Sequence, residues 1–223
     1  MQMFSLESFH NRYQTDTADL TIKDRRFRFF VPRSLDRFLD PNDIFHEFPL
    51  WAKIWQASIV LADHLAGMPV DPQRQFLEIG CGIGVVGIVA AAFGHRITIT
   101  EYNPDAINFA KANIQANLSA NNGGGGIEVI RLDWADPVLE KRFDAIVGSE
   151  VIYREADFQA ILNLFETSLT PSGEIILAEG IRKTSIAFFQ QASGHFQISA
   201  RKKTLRSKGE EFPVILAAMR FKV

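Results

Sequence analysis

The sequence has little of what secreted, membrane or nucleic-acid-binding proteins usually carry. One cysteine, Cys81, is present among the 223 residues, so no disulfide can form within the chain and nothing points to an oxidising compartment. The longest apolar run, Val85 to Phe93, is interrupted by Gly87 and is too short to span a bilayer. With 24 basic and 26 acidic side chains, the net charge of -2 does not favour a dedicated polyanion binder.

The remaining composition is that of a globular protein. Hydrophobic residues make up 47% and charged residues 22% of the chain, whose length fits one domain with a small appendage. The first residues lack the basic start and apolar stretch of a secretory signal, so we expect a cytoplasmic monomer without membrane attachment. Asp43, His46 and Glu47 have no second ligand cluster after them, and we therefore predict no metal site.

The pattern of the first 48 residues differs from that of the rest. Leu20 to Lys23 and Phe27 to Val31 alternate apolar and polar side chains across a polar turn, which predicts a β-hairpin that ends at Pro32. We therefore predict a hairpin extension over residues 1–48 and the main domain over 49–223. After Pro49, an apolar spacing predicts a helix with Trp51 and Trp55 on its buried face.

From residue 75 onward, predicted strands and helices alternate, as in a parallel sheet covered by helices on both faces. Strands are predicted at 75–79, 96–100, 127–132, 144–148 and 174–178, with helices at 85–93, from 104, and at 156–169. A glycine-rich connector occupies 121–126. The tail predicts two antiparallel strands, 196–200 and 212–218, joined by a basic loop.

The most informative segment is the glycine-rich loop between the first of these strands and its helix. Gly82-x-Gly84-x-x-Gly87 fits a dinucleotide-binding fingerprint, with Glu101 at a suitable distance to accept hydrogen bonds from ribose hydroxyls. In a second frame, Glu78-x-Gly80-x-Gly82-x-Gly84 resembles motif I of the class I S-adenosylmethionine-dependent methyltransferases. The loop alone does not separate these two interpretations.

Later segments extend the second resemblance. Leu132-Asp133-Trp134 follows the third strand, where class I methyltransferases place an acid and an apolar side chain against adenine. The segment from Phe143 to Tyr153 resembles the Asp-x-x-Tyr motif of the seven-β-strand protein lysine methyltransferases (methyltransferase family 16). The tryptophan-containing segment from Leu50 resembles the helix that precedes motif I in that family. Together the resemblance covers roughly residues 50–180.

The resemblance implies a Rossmann-like α/β fold, in which a mostly parallel seven-stranded sheet of order 3-2-1-4-5-7-6 ends in an antiparallel C-terminal strand. It also implies S-adenosylmethionine as the cofactor and a lysine side chain of a protein as the acceptor. Glu150 and Tyr153 are the implied catalytic residues. The implied cofactor-binding residues are Trp55, Glu78, Gly80, Gly82, Gly84, Glu101, Asn103, Asp133, Trp134 and Ser149.

Several points stay open at the level of sequence. Glu150 stands where the family motif has aspartate, so its reach is one methylene longer. A nucleic-acid base is disfavoured as acceptor because no proline follows Ser149. A small-molecule acceptor, a nicotinamide oxidoreductase and a non-catalytic S-adenosylmethionine-binding protein also stay open as interpretations. The basic run Arg201 to Lys208 is either a solvated loop or a contact for an acidic protein or RNA.

Overall fold

A computed structural model describes residues 4–39, 48–118, 127–207 and 209–222 of the chain. Asp43, His46, Glu47, the connector 121–126 and Lys208 lie outside the described residues. The helices are α1 Leu6–Arg12, α2 Gln56–Ala66, α3 Val85–Ala92, α4 Pro104–Asn117, α5 Phe158–Ser168 and α6 Lys183–Ala192. The strands are β1 Thr15–Ile22, β2 Arg25–Pro32, β3 Gln75–Glu78, β4 Arg96–Glu101, β5 Glu128–Arg131, β6 Phe143–Ser149, β7 Leu169–Gly180, β8 Phe196–Ser207 and β9 Glu210–Phe221.

The main sheet has seven strands in the order β5-β4-β3-β6-β7-β9-β8. Strands β3 to β7 pair in parallel, whereas β9 pairs antiparallel with both β7 and β8. Counted from β3, this order is 3-2-1-4-5-7-6, which confirms the predicted topology. The carboxyl ends of the parallel strands meet at one edge, where open α/β sheets bind ligands.

Two apolar layers cover the sheet because neighbouring residues on each strand point to opposite faces. Leu77 belongs to a buried cluster that contains residues of α5 and α6, whereas the adjacent Phe76 belongs to a second cluster with residues of α2 and α3. None of the helices in the described part of the chain is long and apolar enough to cross a membrane.

The N-terminal hairpin packs against α4 and reaches the glycine-rich loop through one asparagine. Asn113 is fully buried; its Oδ1 accepts a hydrogen bond from Phe30 N at 2.6 Å, and its Nδ2 donates to Phe30 O at 3.1 Å and to Ile83 O at 2.9 Å. Phe27 and Phe29 of β2 share an apolar cluster with Ile83. The predicted extension is therefore packed on the main domain.

Two sequence predictions about local structure are wrong. The segment after Pro49 forms a single 3₁₀ turn, Leu50–Ala52, and α2 begins only at Gln56. Trp55 has an extended backbone and its Nε1 donates to Leu50 O at 2.7 Å, so this bond folds the segment back instead of extending the helix. Helices α1 and α6 have no counterpart among the predicted elements.

The second wrong prediction concerns the basic run, which is a strand and not a loop. Residues 201–207 continue β8 and pair with 210–216 of β9. Arg206 faces Glu211 across the hairpin, with 2.8 Å between Nε and Oε1, and such opposite charges support a cross-strand pair. Gly209, with a φ of 82°, supplies a left-handed residue next to the turn.

Candidate functional site at the carboxyl edge of the sheet

The loop between β3 and α3 has the backbone that its glycines predict. Gly80, Gly82 and Gly84 have φ values of 59°, 54° and 91°, a region that side-chain-bearing residues rarely adopt. The loop therefore turns sharply and leads directly into α3, whose first amide groups lack intrahelical partners. This arrangement gives a ligand access to the backbone at the predicted motif I.

Glu101, at the end of β4, connects this loop to the next helix. Its Oε2 accepts a hydrogen bond from Gly82 N at 2.9 Å, and its Oε1 accepts from Tyr102 N at 2.7 Å and Asn103 N at 3.0 Å. Burial raises the pKa of Glu101, although these three bonds act in the opposite direction. Because a carboxylate has about four acceptor positions, roughly one is left for a ligand hydroxyl, where the sequence predicted two such bonds.

Asn103 is placed as the cap of α4. Its Oδ1 accepts hydrogen bonds from Asp105 N at 2.9 Å and Ala106 N at 3.1 Å. These bonds satisfy two free amides at the start of the helix. A cofactor-binding role for this side chain stays a prediction.

Glu78 ends β3 beneath the loop and is only 1% exposed. Its Oε2 lies close to Gly87 of α3 without a hydrogen bond of normal geometry to any described residue. Desolvation raises the pKa of Glu78 to about 8, although the Gly87 backbone amide acts in the opposite direction. A buried carboxyl oxygen without a hydrogen-bond partner lowers the stability of the fold unless a ligand forms a hydrogen bond to it. The resemblance implies that this acid helps to orient the loop and the amino group of S-adenosylmethionine, and this role stays a prediction.

Residues from the ends of β5 and β6 approach the glycine-rich loop at Gly80. A Cβ atom at Gly80 would lie 3.0 Å from Cγ1 of Val151 and 3.1 Å from Cζ2 of Trp134. The structure therefore brings three of the predicted motifs together at one point. Asp133 is exposed beside Trp134, and its Oδ1 accepts a hydrogen bond from Ala135 N at 2.9 Å. Ser149 is half-buried as the last residue of β6.

Glu150 follows β6 directly and is held by the end of β7. Its φ of 53° is left-handed, and its N donates to Ala178 O at 3.0 Å. The Oε1 atom accepts a hydrogen bond from Gly180 N at 3.0 Å, and Oε2 forms an ion pair with Arg182. The carboxylate that the sequence places at the rim of the acceptor pocket is thus already bound within the chain.

Tyr153, the second implied catalytic residue, is 38% exposed. Burial of the rest of its ring raises the pKa of its hydroxyl, which keeps it protonated and available as a hydrogen-bond donor at neutral pH. The Glu101 carboxylate is among the charged groups that act on this hydroxyl, and the catalytic role of Tyr153 stays a prediction.

Glu179 and Arg182 are two residues at the site that the sequence motifs did not indicate. Glu179 is fully buried near the end of β7, and Arg182 precedes α6. Glu179 could have been found, because it directly follows the apolar segment Ile175 to Ala178 of a predicted strand. Charged residues are rarely buried unless they are paired, so an acid at this position indicates a partner. Nothing in the local sequence marks Arg182.

Trp51, interpreted as a core residue, lies closer to the loop than expected. Its carbonyl oxygen would be 3.0 Å from a Cβ atom at Gly82, so the 3₁₀ turn closes over the glycine. Trp55 is half-buried, with Lys53 Nζ 4.8 Å from its ring centre. Its assignment to the wall of the cofactor pocket stays a prediction.

Comparison with known proteins agrees with this geometry. A family model described as lysine methyltransferase matches residues 49–195, more than half of the chain. EEF1A lysine methyltransferase 3 of Mus musculus is 32% identical over 134 residues, which are 59% of this chain and 56% of the relative. Protein N-lysine methyltransferase METTL21A of Danio rerio is 33% identical over 135 residues, which are 59% of this chain and 61% of the relative.

A solved structure shares the fold at low identity. The magnesium protoporphyrin IX methyltransferase (ChlM) of Synechocystis PCC 6803, determined with bound S-adenosylmethionine, superposes with a TM-score of 0.57 and 18% identity. The superposition covers 74% of this chain and 78% of that one. It confirms the Rossmann-like methyltransferase fold.

The chain matches less than two thirds of the length of the two relatives compared. Residues 49–195, which the family model matches, contain the glycine-rich loop, Glu101 and the Glu150 to Tyr153 segment. The predicted S-adenosylmethionine cofactor is confirmed by this family match. The chain belongs to the lysine methyltransferase family.

Proposed function

We propose that this protein transfers a methyl group from S-adenosylmethionine to a lysine side chain of a protein. The observation that carries the proposal is the contact at Gly80, where the cofactor loop, Trp134 and Val151 meet. This contact places the Glu150 to Tyr153 segment beside the loop that would hold the cofactor. Donor and acceptor can then be aligned within one site, and such alignment is the main contribution an enzyme makes to a displacement reaction.

Each end of the cofactor has residues of suitable chemistry. The glycine-rich loop offers backbone amides, Glu101 offers its remaining acceptor position to a ribose hydroxyl, and Glu78 offers an unpartnered buried oxygen to an ammonium group. Trp134 presents an apolar ring surface, and Asp133 is exposed beside it. When bound, S-adenosylmethionine supplies an electrophilic methyl group.

The acceptor side must orient an uncharged amine. A free lysine with a pKa near 10.4 is almost entirely protonated at pH 7, so neutralising it costs about 4.6 kcal/mol. Desolvation lowers the pKa of an amine, and a nearby positive charge lowers it further. Glu150 and the Tyr153 hydroxyl are the groups that would hold the amine nitrogen and direct its lone pair.

Competing functions have less support. A nicotinamide oxidoreductase does not fit the family to which the chain belongs. Both relatives named above are described as lysine methyltransferases, which favours a protein acceptor over a nucleic-acid base or a small molecule. Monomeric state and cytoplasmic location stay predictions.

Labelling distinguishes these acceptors. The protein is incubated with methyl-labelled S-adenosylmethionine and a dialysed cell extract, and the product is treated separately with protease and nuclease. We expect label that survives nuclease, is released by protease and is recovered as methyl-lysine after acid hydrolysis. Label in nuclease-sensitive material, in methyl-histidine or in small molecules alone would contradict the proposal. The Glu101→Ala variant, with its weakened cofactor site, is the control for contaminating activity.

A further inference from the structure

The segment that carries Glu150 and Tyr153 is attached to the end of β7 by two acidic side chains. Glu179 Oε1 accepts hydrogen bonds from Val151 N at 3.0 Å and from Ile152 N at 3.3 Å. In the other direction, Gly180 N donates to Glu150 Oε1 at 3.0 Å. Each strand end therefore supplies a carboxylate that binds the backbone of the other.

Arg182 joins the two carboxylates. Its Nη2 lies 3.3 Å from Glu179 Oε2 and also forms the ion pair with Glu150 Oε2. The Arg182 backbone is fixed in turn, because its N donates to Ser185 Oγ at 3.1 Å and Ser185 Oγ donates to Gly180 O at 2.7 Å. One guanidinium thus contacts two carboxyl groups, of which that of Glu179 is completely buried.

Two features of this arrangement do not favour the stability of the fold, and packing alone does not explain them. Glu150 has a left-handed backbone although it is not glycine, and such strain persists only where the surroundings enforce it. A buried ion pair is often no better for stability than apolar side chains of similar volume. The network lies at the carboxyl ends of β6 and β7, where it holds the Glu150 carboxylate and the backbone of the two residues that precede Tyr153.

We propose that Glu179 and Arg182 are positioning residues for the acceptor side of the site: Glu179 holds the backbone of the Glu150 to Tyr153 segment, and Arg182 holds the Glu150 carboxylate. This inference rests on the proposed function. The remaining acceptor positions of Glu150 receive the amine of the substrate, while Arg182 prevents the carboxylate from swinging toward solvent.

The charge balance gives the network a pH dependence. Among the described residues, the charged groups that face Glu179 are Glu150, from the segment after β6, and Arg182, whereas its partner on β9 is the apolar Ile215. Burial, and after it the charge of Glu150, raise the pKa of Glu179 to about 8, although the hydrogen bonds from Val151 N and Ile152 N and the charge of Arg182 act in the opposite direction. Without Arg182, Glu179 keeps its proton to higher pH and accepts hydrogen bonds less well.

The test uses Arg182→Met, Arg182→Lys and Glu179→Gln, with Lys183→Met as a control that removes a charge from the adjacent exposed residue. The rate of label transfer to the cell extract is measured across pH at saturating S-adenosylmethionine. Loss of bonds to a charged group predicts a rate about 10- to 100-fold lower in Arg182→Met and Glu179→Gln. Arg182→Lys should recover part of this loss, and Lys183→Met should stay within about twofold of wild type.

Two further measurements separate positioning from a purely structural role. In Arg182→Met, the acid limb of the pH–rate profile should move to higher pH, and the dissociation constant for S-adenosylhomocysteine should stay within about twofold of wild type. A lower melting temperature with an unchanged rate and acid limb would overturn the inference. A rate increase in Arg182→Met would also overturn it, because Arg182 would then compete with the substrate.

Failure of the proposed function gives a different result. If the wild-type protein binds S-adenosylhomocysteine but labels no protein, lysine methylation is refuted, and amide hydrogen exchange then tests the network by itself. Exchange at Val151 and Ile152 that is about tenfold or more faster in Glu179→Leu, which removes the acceptor oxygen that glutamine would keep, supports the positioning role. Unchanged exchange at both amides overturns it.

Discussion

The cofactor side and the acceptor side of the site both depend on carboxylates, but they satisfy them differently. Glu101 accepts three hydrogen bonds from backbone amides at the end of its own strand and in the neighbouring loop. Glu150 and Glu179 depend on a side chain, Arg182, together with backbone amides contributed across two strand ends. Backbone donors are fixed once the strands and loops form, whereas the arginine adds a connection that one substitution can remove.

This difference predicts where each side is vulnerable. Changes on the cofactor side should act mainly on affinity, because its carboxylates are held by the fold and meet a bound ligand. Changes on the acceptor side should act mainly on rate, because its carboxylates orient a reacting group. Separate measurements of affinity and rate in matched variants therefore distinguish the two sides.

The largest effect is expected at the acceptor side. Glu150→Gln keeps the shape of the side chain but removes the charge that binds Arg182, and Tyr153→Phe removes the hydroxyl. Loss of about 2–4 kcal/mol of transition-state stabilisation would make methyl transfer roughly 30- to 1000-fold slower. Calorimetry should find little change in S-adenosylmethionine affinity for either variant. Full activity in both would remove these residues from the mechanism.

Glu150→Asp sharpens this prediction, since it restores the acid of the family motif. The Glu150 carboxylate reaches both Gly180 N and Arg182, and a side chain one methylene shorter cannot keep both contacts without backbone movement. We therefore expect Glu150→Asp to be impaired nearly as much as Glu150→Gln. Wild-type activity in this variant would mean that the longer side chain is incidental and that the bond to Arg182 is dispensable.

The next effect is on affinity. Glu101→Ala removes three backbone hydrogen bonds and any bond to the ribose, so the glycine-rich loop loses its attachment at Gly82. Hydrogen bonds to a charged group contribute about 1.5–3 kcal/mol, which predicts a dissociation constant about 10- to 100-fold higher for S-adenosylhomocysteine. Glu128→Ala, at an exposed acid of β5, is the matched control. Equal affinity in wild type and Glu101→Ala would exclude Glu101 from the cofactor site.

The same contrast explains how much the sequence could predict. Gly80, Gly82, Gly84 and Glu101 lie directly after strands, and the sequence pattern predicted both the glycine-rich loop between strand and helix and the place of Glu101 after the next strand. Arg182 and Glu179 act through contacts between separate segments, which spacing along one segment does not encode. The start of α2 was missed for a related reason, because a hydrogen bond from Trp55 to Leu50 overrides the helical pattern.

Glu78 predicts a smaller, pH-dependent effect on the cofactor side. Desolvation raises its pKa to about 8, so in the free protein it is mostly protonated at neutral pH. The cationic ammonium of the cofactor favours the ionised form, and binding below about pH 8 therefore releases a proton. Affinity should increase as the pH rises and level off above about pH 8, by at most about tenfold per pH unit.

Calorimetry at several pH values checks this sign. The amino group of the ligand also titrates in the same range, so the pH dependence has to be compared between wild type and Glu78→Gln. With Glu78→Gln, the amino group of the ligand still titrates but the carboxyl group at position 78 is absent. The affinity of this variant for the ligand should therefore vary less with pH. Identical pH dependence in both proteins would show that Glu78 does not face the ammonium group.

The smallest effect concerns the basic strand, which belongs to neither side of the site but lies near its acceptor side. In the sheet register, Gly180 of β7 pairs with Val214 of β9, and Val214 pairs with Lys203 of β8. The residues of β8 after Lys203 therefore extend beyond the last paired residue of β7, on the side of the sheet where we propose that the acceptor binds. Lys202 and Lys203 are exposed and level with the end of β7, and Arg206 lies beyond it and is paired with Glu211.

An acidic protein substrate would be attracted by these charges, whereas charged residues on an edge strand can also serve only to prevent aggregation. If the attraction operates, changing Lys202, Lys203 and Arg206 to Ser should raise the apparent Michaelis constant about three- to tenfold and leave the turnover number unchanged. The salt dependence of the rate should also become flatter, because exposed charges are screened over about 10 Å at 0.1 M salt.

The matched control removes three exposed basic residues at the amino ends of the parallel strands, on the side of the sheet away from the site. These residues are Arg96, Lys141 and Lys222. If both triple variants have the same kinetics and salt dependence, the position of the charges does not affect substrate binding. The basic residues of β8 then serve only to prevent aggregation through this outer strand of the sheet.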